Sequence, residues 1–131
     1  MIVSDFEIYL RKAKEDIVVI RKLVADLEIS DSSWGFHAHQ AIEKLIKSIL
    51  AKFKIEFSKT HDLVFLYELL PTEVLSFFSS LEDDCEALNP YAVSLRYDEN
   101  IGEELDRMNI LSRILDLEMN LLSYYKKTPS S

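Results

Sequence analysis

SWGFHAHQAIEKLIKSILAKF, residues 33–53, is the stretch that decides the fold. Trp34, Ala38, Ala41, Leu45 and Ile49 recur every three or four positions, the spacing that lines side chains along one face of an α-helix. Ile42, Ile46 and Phe53 widen the stripe beyond one ordinary face. A helix this broadly apolar is expected to be buried on two sides, one meeting the rest of a bundle and the other a partner. Left bare, such a face is an aggregation liability, so the stripe predicts a homodimer. Gly35, near the start, tolerates close approach of other backbone.

Helical patterns continue on both sides. Upstream, Phe6, Leu10, Ala13, Ile17, Ile20 and Val24 form one stripe, predicting a helix over 4–27 with a capping box from Ser4 and Glu7. Residues 29–33 break it and supply caps for the next helix. Downstream, residues 54–60 read as a loop. Thr60 then caps a short helix that ends at Pro71, because proline disfavours a helical residue before it. A fourth helix is expected over 72–88, with Val74, Leu75, Phe78 and Leu81 inward. Residues 89–100, NPYAVSLRYDEN, carry no helical period. A last helix runs from 101 or 103 to 125 and carries Leu105, Met108, Leu111, Leu115, Met119 and Leu122. The expected fold is all-α: a single up-and-down bundle of four to five helices over 1–126, with a frayed tail at 127–131.

Composition agrees and excludes much else. Within 131 residues, 48% hydrophobic and 29% charged is the balance of one globular domain. Two glycines and three prolines are too few for a many-stranded sandwich or barrel, and they cannot build a glycine-rich phosphate loop. A single cysteine, Cys85, excludes an internal disulfide and any multi-cysteine metal site. The N-terminus lacks the apolar core of a signal peptide, and no run of 18 apolar residues exists, so the expectation is a cytoplasmic protein with no membrane partner. Net charge is −8 and uneven: residues 1–60 hold 10 Lys and Arg against 9 Asp and Glu, and residues 61–131 hold 5 against 14. A surface this acidic does not favour a phosphate backbone as its general partner. Lys44, Lys47, Lys52, Lys54 and Lys59 lie close in sequence, as a solvated helix face or as a local basic patch.

His37 and His39 sit about 200° apart around one helix, so they cannot ligate one metal together. Neither a metal nor another cofactor is expected. Negative neighbours disfavour a thiolate at Cys85. Glu43–Lys47 and Gln40–Lys44 are i,i+4 pairs of the kind that support a helix surface. Asp62, beside His61, suits the first turn of a helix. Arg96 and Tyr97 lie in a loop, where a guanidinium beside a phenol is suited to grip phosphate or carboxylate. A salt bridge from Arg96 to Asp98 or Glu99 is the plainer reading.

In combination, FHAHQAIEKLIKSIL at 36–50, KTHDL at 59–63 and YAVSLRYDEN at 91–100 resemble the HEPN-domain family, in that order and over about residues 4–126. The resemblance implies a dimerising helical bundle that is often paired with a minimal nucleotidyltransferase, frequently as a toxin–antitoxin module. Many such proteins are metal-independent RNases that use an Arg followed four to six residues later by a His. No histidine follows Arg96 in this chain. The expectation is therefore a non-catalytic bundle that binds a nucleotidyltransferase partner, a nucleotide or RNA. Its cleft would hold His37, Gln40, Glu43, Lys44, His61, Asp62, Arg96 and Tyr97. Arg96 and Lys44 would hold phosphate, and Tyr97 would stack or donate a hydrogen bond. The alternatives are an RNase with a degenerate site, using His61 or His37 as acid or base, and a purely structural helical dimer.

Overall fold

The structure is a computed structural model that describes residues 5–92 and 104–128. It contains α1 (Asp5–Leu23), α2 (Asp31–Lys52), α3 (Leu63–Glu68), α4 (Thr72–Phe78), α5 (Glu82–Leu88) and α6 (Arg107–Lys127). Single 3₁₀ turns occupy Ser79–Leu81 and Asn89–Tyr91, and no strand occurs among the described residues.

α1 and α2 form an antiparallel pair. Trp34 meets Ile20, Lys44 meets Asp16 and Lys52 meets Phe6, so contacts along the two helices run in opposite order. α1 stops four residues short of the expected end. The main-chain carbonyl of Ile20 is orphaned there and accepts a hydrogen bond from the Trp34 indole at 3.0 Å. Ser30 is the N-cap of α2, its hydroxyl accepting from the Ser33 amide at 3.1 Å. At the other end, Ile55 N–H donates to Leu50 O and Lys54 N–H to Ala51 O, with Lys54 in the left-handed region at φ 57°. This reversal carries Phe57 back against Tyr9 of α1.

The third leg of the bundle is broken. Asp62, not Thr60, is the N-cap of α3: its carboxylate accepts from the amides of Val64 and Phe65, while the Thr60 hydroxyl accepts from the Asp62 amide. The helix expected over 72–88 divides into α4, a 3₁₀ turn and α5. The Ser79 hydroxyl donates to the Ser76 carbonyl, which competes with the helical ladder, and Glu82, Asp83 and Asp84 favour a fresh N-terminus. Glu73 meets Tyr124, Asp84 meets Arg113, and Tyr91 and Leu105 meet at Gly35. The leg therefore runs antiparallel to α6. A Cβ on Gly35 would lie 2.7 Å from the Tyr91 ring, so the close approach expected there is made by a side chain.

α2 is the centre of the bundle. Thirteen of its residues are buried within this one chain, among them Trp34, Ile42, Leu45, Ile46 and Ile49. Among the described residues, the double-width stripe is thus covered within this one chain, by α1, α3, α5 and α6. α6 also differs from expectation. It starts at Arg107 on an Asp106 cap, and it buries Ile110, Leu111, Ile114, Leu117 and Leu121. Of the expected stripe, Leu111 is inside and Leu105 and Leu115 are half-buried, whereas Met108, Met119 and Leu122 are 64%, 63% and 37% exposed.

Candidate functional site

Charge on the central helix is concentrated in two clusters. In the first, Asp16 of α1 is buried and bridges two side chains of α2: His37 Nδ1 lies 2.9 Å from Oδ1, and the Lys44 ammonium donates to Oδ2 at 2.8 Å. His37 and Lys44 are seven residues apart, two turns along the same line of α2. A carboxylate only accepts, so His37 donates to Asp16 through Nδ1.

In the second, Glu43 is nearly sealed, its side chain 4% exposed. It accepts from Lys47 Nζ at 2.9 Å and from His61 Nδ1 at 2.8 Å. His61 stands at the entry to α3 with its side chain 61% exposed. His39 is fully buried beside it. Its Nε2 lies 2.8 Å from the His61 carbonyl, which can only accept, so Nε2 carries the proton. Nδ1 is then an unpartnered acceptor, 3.7 Å from Glu43 Oε1. Burial holds the His39 pKa below the usual histidine range, against the opposing pull of Glu43.

The helical repeat places Gln40, half-buried, between the clusters, so His37, Gln40, Lys44 and Lys47 make one polar strip along α2. Asp16 borders it on the α1 side, and Glu43 with His61 on the α3 side. Aromatic rings close its ends. Phe36 stacks edge-on against His37 at 5.2 Å, and Phe57 lies under Lys47, 5.7 Å from Nζ.

Five of the eight expected site residues therefore share this strip: His37, Gln40, Glu43, Lys44 and His61. Asp62 is adjacent but serves the fold. It caps α3 and accepts from the Asn89 side chain, a bond that, with the Phe65 and Val64 amides, lowers its pKa. Arg96 and Tyr97 lie outside the described residues. The i,i+4 pairs on α2 behave differently from surface support. Lys44 bonds Asp16 rather than Gln40, and Glu43–Lys47 is buried. His37 faces α1 and His39 faces α3, as their spacing requires. Sequence reasoning missed Asp16 as the bridge and His39 as the buried member. Asp16 is 28 residues from Lys44, and no local pattern connects them.

Cys85 is buried, and its thiol is pushed up to about 12 by burial and by Asp84, Glu82 and Glu86, so it is not a nucleophile near neutral pH. The described residues include no helix long and apolar enough to cross a membrane.

The HEPN domain family model matches residues 6–120, from the first turns of α1 to near the end of α6. The chain belongs to the HEPN-domain family. No curated protein and no solved structure matches it.

Proposed function

We propose that this chain is a non-catalytic HEPN bundle that pairs with a second copy and binds a minimal nucleotidyltransferase through the polar strip of α2, as one half of a toxin–antitoxin module. The observation that carries the reading is a strip that is strongly polar yet internally neutralised. Lys44 and Lys47 are each matched by a buried carboxylate. Such pairs seldom add stability over apolar residues of the same size, so the core does not require them. RNA or a free nucleotide is held best by cations left uncompensated, and the chain carries a net −8. A protein surface with its own donors and acceptors suits the strip better. Arg96 and Tyr97 extend the proposed surface through the family resemblance.

The test is to read the neighbouring frames for a small nucleotidyltransferase and co-purify it with this chain, followed by calorimetric titration; ATP is titrated in parallel, and neighbouring frames that encode none count against the reading. Wild type should bind the protein. Gln40→Arg and Arg96→Ala should each weaken it at least tenfold, and ATP alone should bind more weakly. Binding that ignores both variants, or ATP binding tighter than the protein, overturns the reading.

One geometry favours a second reading, RNA cleavage. His61 is largely exposed and its Nδ1 is held by the nearly sealed Glu43 carboxylate, a pairing of the kind that orients a histidine for acid–base work. Metal-free cleavage of RNA that disappears in both His61→Ala and Glu43→Gln would establish it. Intact RNA after prolonged incubation would remove it.

A further inference from the structure

We infer that acid passes the Glu43 carboxylate from His61 to His39, which makes the α3 edge of the polar strip a proton-operated latch. The inference concerns the free chain and holds whether or not the strip binds a nucleotidyltransferase. Two histidines converge on one oxygen. Glu43 Oε1 lies 2.8 Å from His61 Nδ1 and 3.7 Å from His39 Nδ1, and only the first distance is a hydrogen bond. Among the described residues, His39 Nδ1 is the buried side-chain atom left without a partner. The ring is held by its other nitrogen, 2.8 Å from the His61 carbonyl. Nε2 already donates there, so an added proton has one place to go, Nδ1. Glu43 Oε1 is then the carboxylate oxygen within reach, and a shift of about 0.9 Å closes the 3.7 Å gap to a hydrogen bond.

Burial decides which ring keeps the oxygen. The His39 side chain is fully sealed, whereas that of His61 is 61% exposed. Glu43 Oε2 is already taken by the Lys47 ammonium at 2.9 Å. With both rings protonated, one carboxylate faces three cations, and like charges this close repel. The cation that water can solvate gives way, and the sealed one keeps its counter-charge. The His61 main chain stays in place, because its carbonyl still accepts from His39 Nε2. The ring alone swings out, and the strip gains a free cation at its α3 edge. Burial opposes the second proton on His39, Glu43 draws it in, and the charges of His61 and Lys47 oppose it, so the two rings compete for one carboxylate. Asp62 is the remaining charge at the α3 entry that acts with His39. Elsewhere, α1 bonds α2 through Asp16, on His37 and Lys44. The end of α5 bonds the α3 entry through the uncharged Asn89. α6 bonds α2 through the Tyr125 and Ser48 hydroxyls and through Arg107 on Asp31. None of these is bonded to Glu43.

The experiment follows the histidine ring resonances of the full chain by nitrogen-15 NMR from about pH 8 to 4.5. His37→Gln and His39→Gln assign the rings, and circular dichroism confirms helicity throughout. In wild type, the hydrogen-bonded Nδ1 proton of His61 should be lost to exchange with water at the same midpoint at which His39 gains its Nδ1 proton. Glu43→Gln should lower the His39 midpoint by more than about one pH unit, since the carboxylate that draws the proton in is gone. His61→Ala, at an exposed position, leaves the buried carboxylate intact and removes the competitor. It should raise the His39 midpoint by at least about half a pH unit. A His39 midpoint unchanged in His61→Ala, or a His61 Nδ1 proton that persists after His39 is doubly protonated, overturns the exchange. Loss of helicity in wild type before His39 takes its second proton overturns it as well. All of these readouts come from the chain alone, so they are independent of the nucleotidyltransferase titration.

Discussion

His39 is the residue under most tension. It is sealed in the core, spends its one proton on the His61 carbonyl and leaves Nδ1 facing a carboxylate oxygen. A second proton would have to be carried without water. Burial depresses the folded-state pKa below the ordinary 6.5, so near and below that value the unfolded chain binds more protons than the folded one. Stability from this group is therefore complete above pH 6.5 and is lost as pH falls through the folded-state value. The slope approaches at most about 1.4 kcal/mol per pH unit. Urea midpoints at pH 7.5 and 5.5 should show the loss in wild type. His39→Gln, which keeps a donor for the His61 carbonyl but cannot titrate, should flatten the difference. An equal loss in the variant would assign the effect to other groups.

At the scale of elements, α6 shows how a helix acquires its rotation. It carries two apolar stripes, Ile110–Ile114–Leu117–Leu121 and Met108–Leu115–Met119–Leu122, both at helical spacing. Ile114→Ala should cost about 2–5 kcal/mol, as a fully buried branched side chain leaving a cavity. Met119→Ala, at dilutions that keep copies apart, should change stability by less than about 0.5 kcal/mol. Comparable losses in denaturant melts would mean the helix is rotated from the orientation described. Periodicity reveals that such a helix exists but cannot choose between two stripes, because burial is decided by distant neighbours. The same limit explains the rest. α2 was legible because nearly every apolar position is used, yet its pattern could not say that this chain covers both sides. Thr60 and Asp62 are both capping residues, and only the Asn89 contact and the Val64 and Phe65 amides distinguish them. His37, Gln40, Glu43, Lys44 and His61 were legible as polar residues out of place on an apolar helix and its entry loop. Asp16 was not, since it looks like any other acid on a solvated α1.

Across the whole molecule, Arg107 joins what the chain separates. Its Nε donates to Asp31 at 2.8 Å, and its other nitrogens donate to the carbonyls of Asp26 and Ile29. One side chain in the first turn of α6 thereby fixes the α1–α2 connection and the start of α2. Asp31 also accepts from the Leu105 amide. Arg107→Ala should destabilise by about 2–3 kcal/mol, or roughly 10 °C in melting temperature. Arg107→Lys should recover little of it, because an ammonium cannot span three acceptors as the planar guanidinium does. A melting temperature within about 2 °C of wild type in the alanine variant would show the clamp to be incidental.

The guanidinium of Arg107 also lies 5.9 Å from the ring of Trp34, whose indole is tied to Ile20. The chain has one tryptophan. Its fluorescence is therefore a single-site optical signal from the junction where α1, α2 and α6 meet. Excitation at 295 nm should give blue-shifted emission that moves red when the junction separates, and near-ultraviolet dichroism should vanish with it. If the bundle opens as one unit, this signal and far-ultraviolet helicity should trace one curve in urea. If the junction loosens first, the emission curve should lead, and Arg107→Ala should widen the gap.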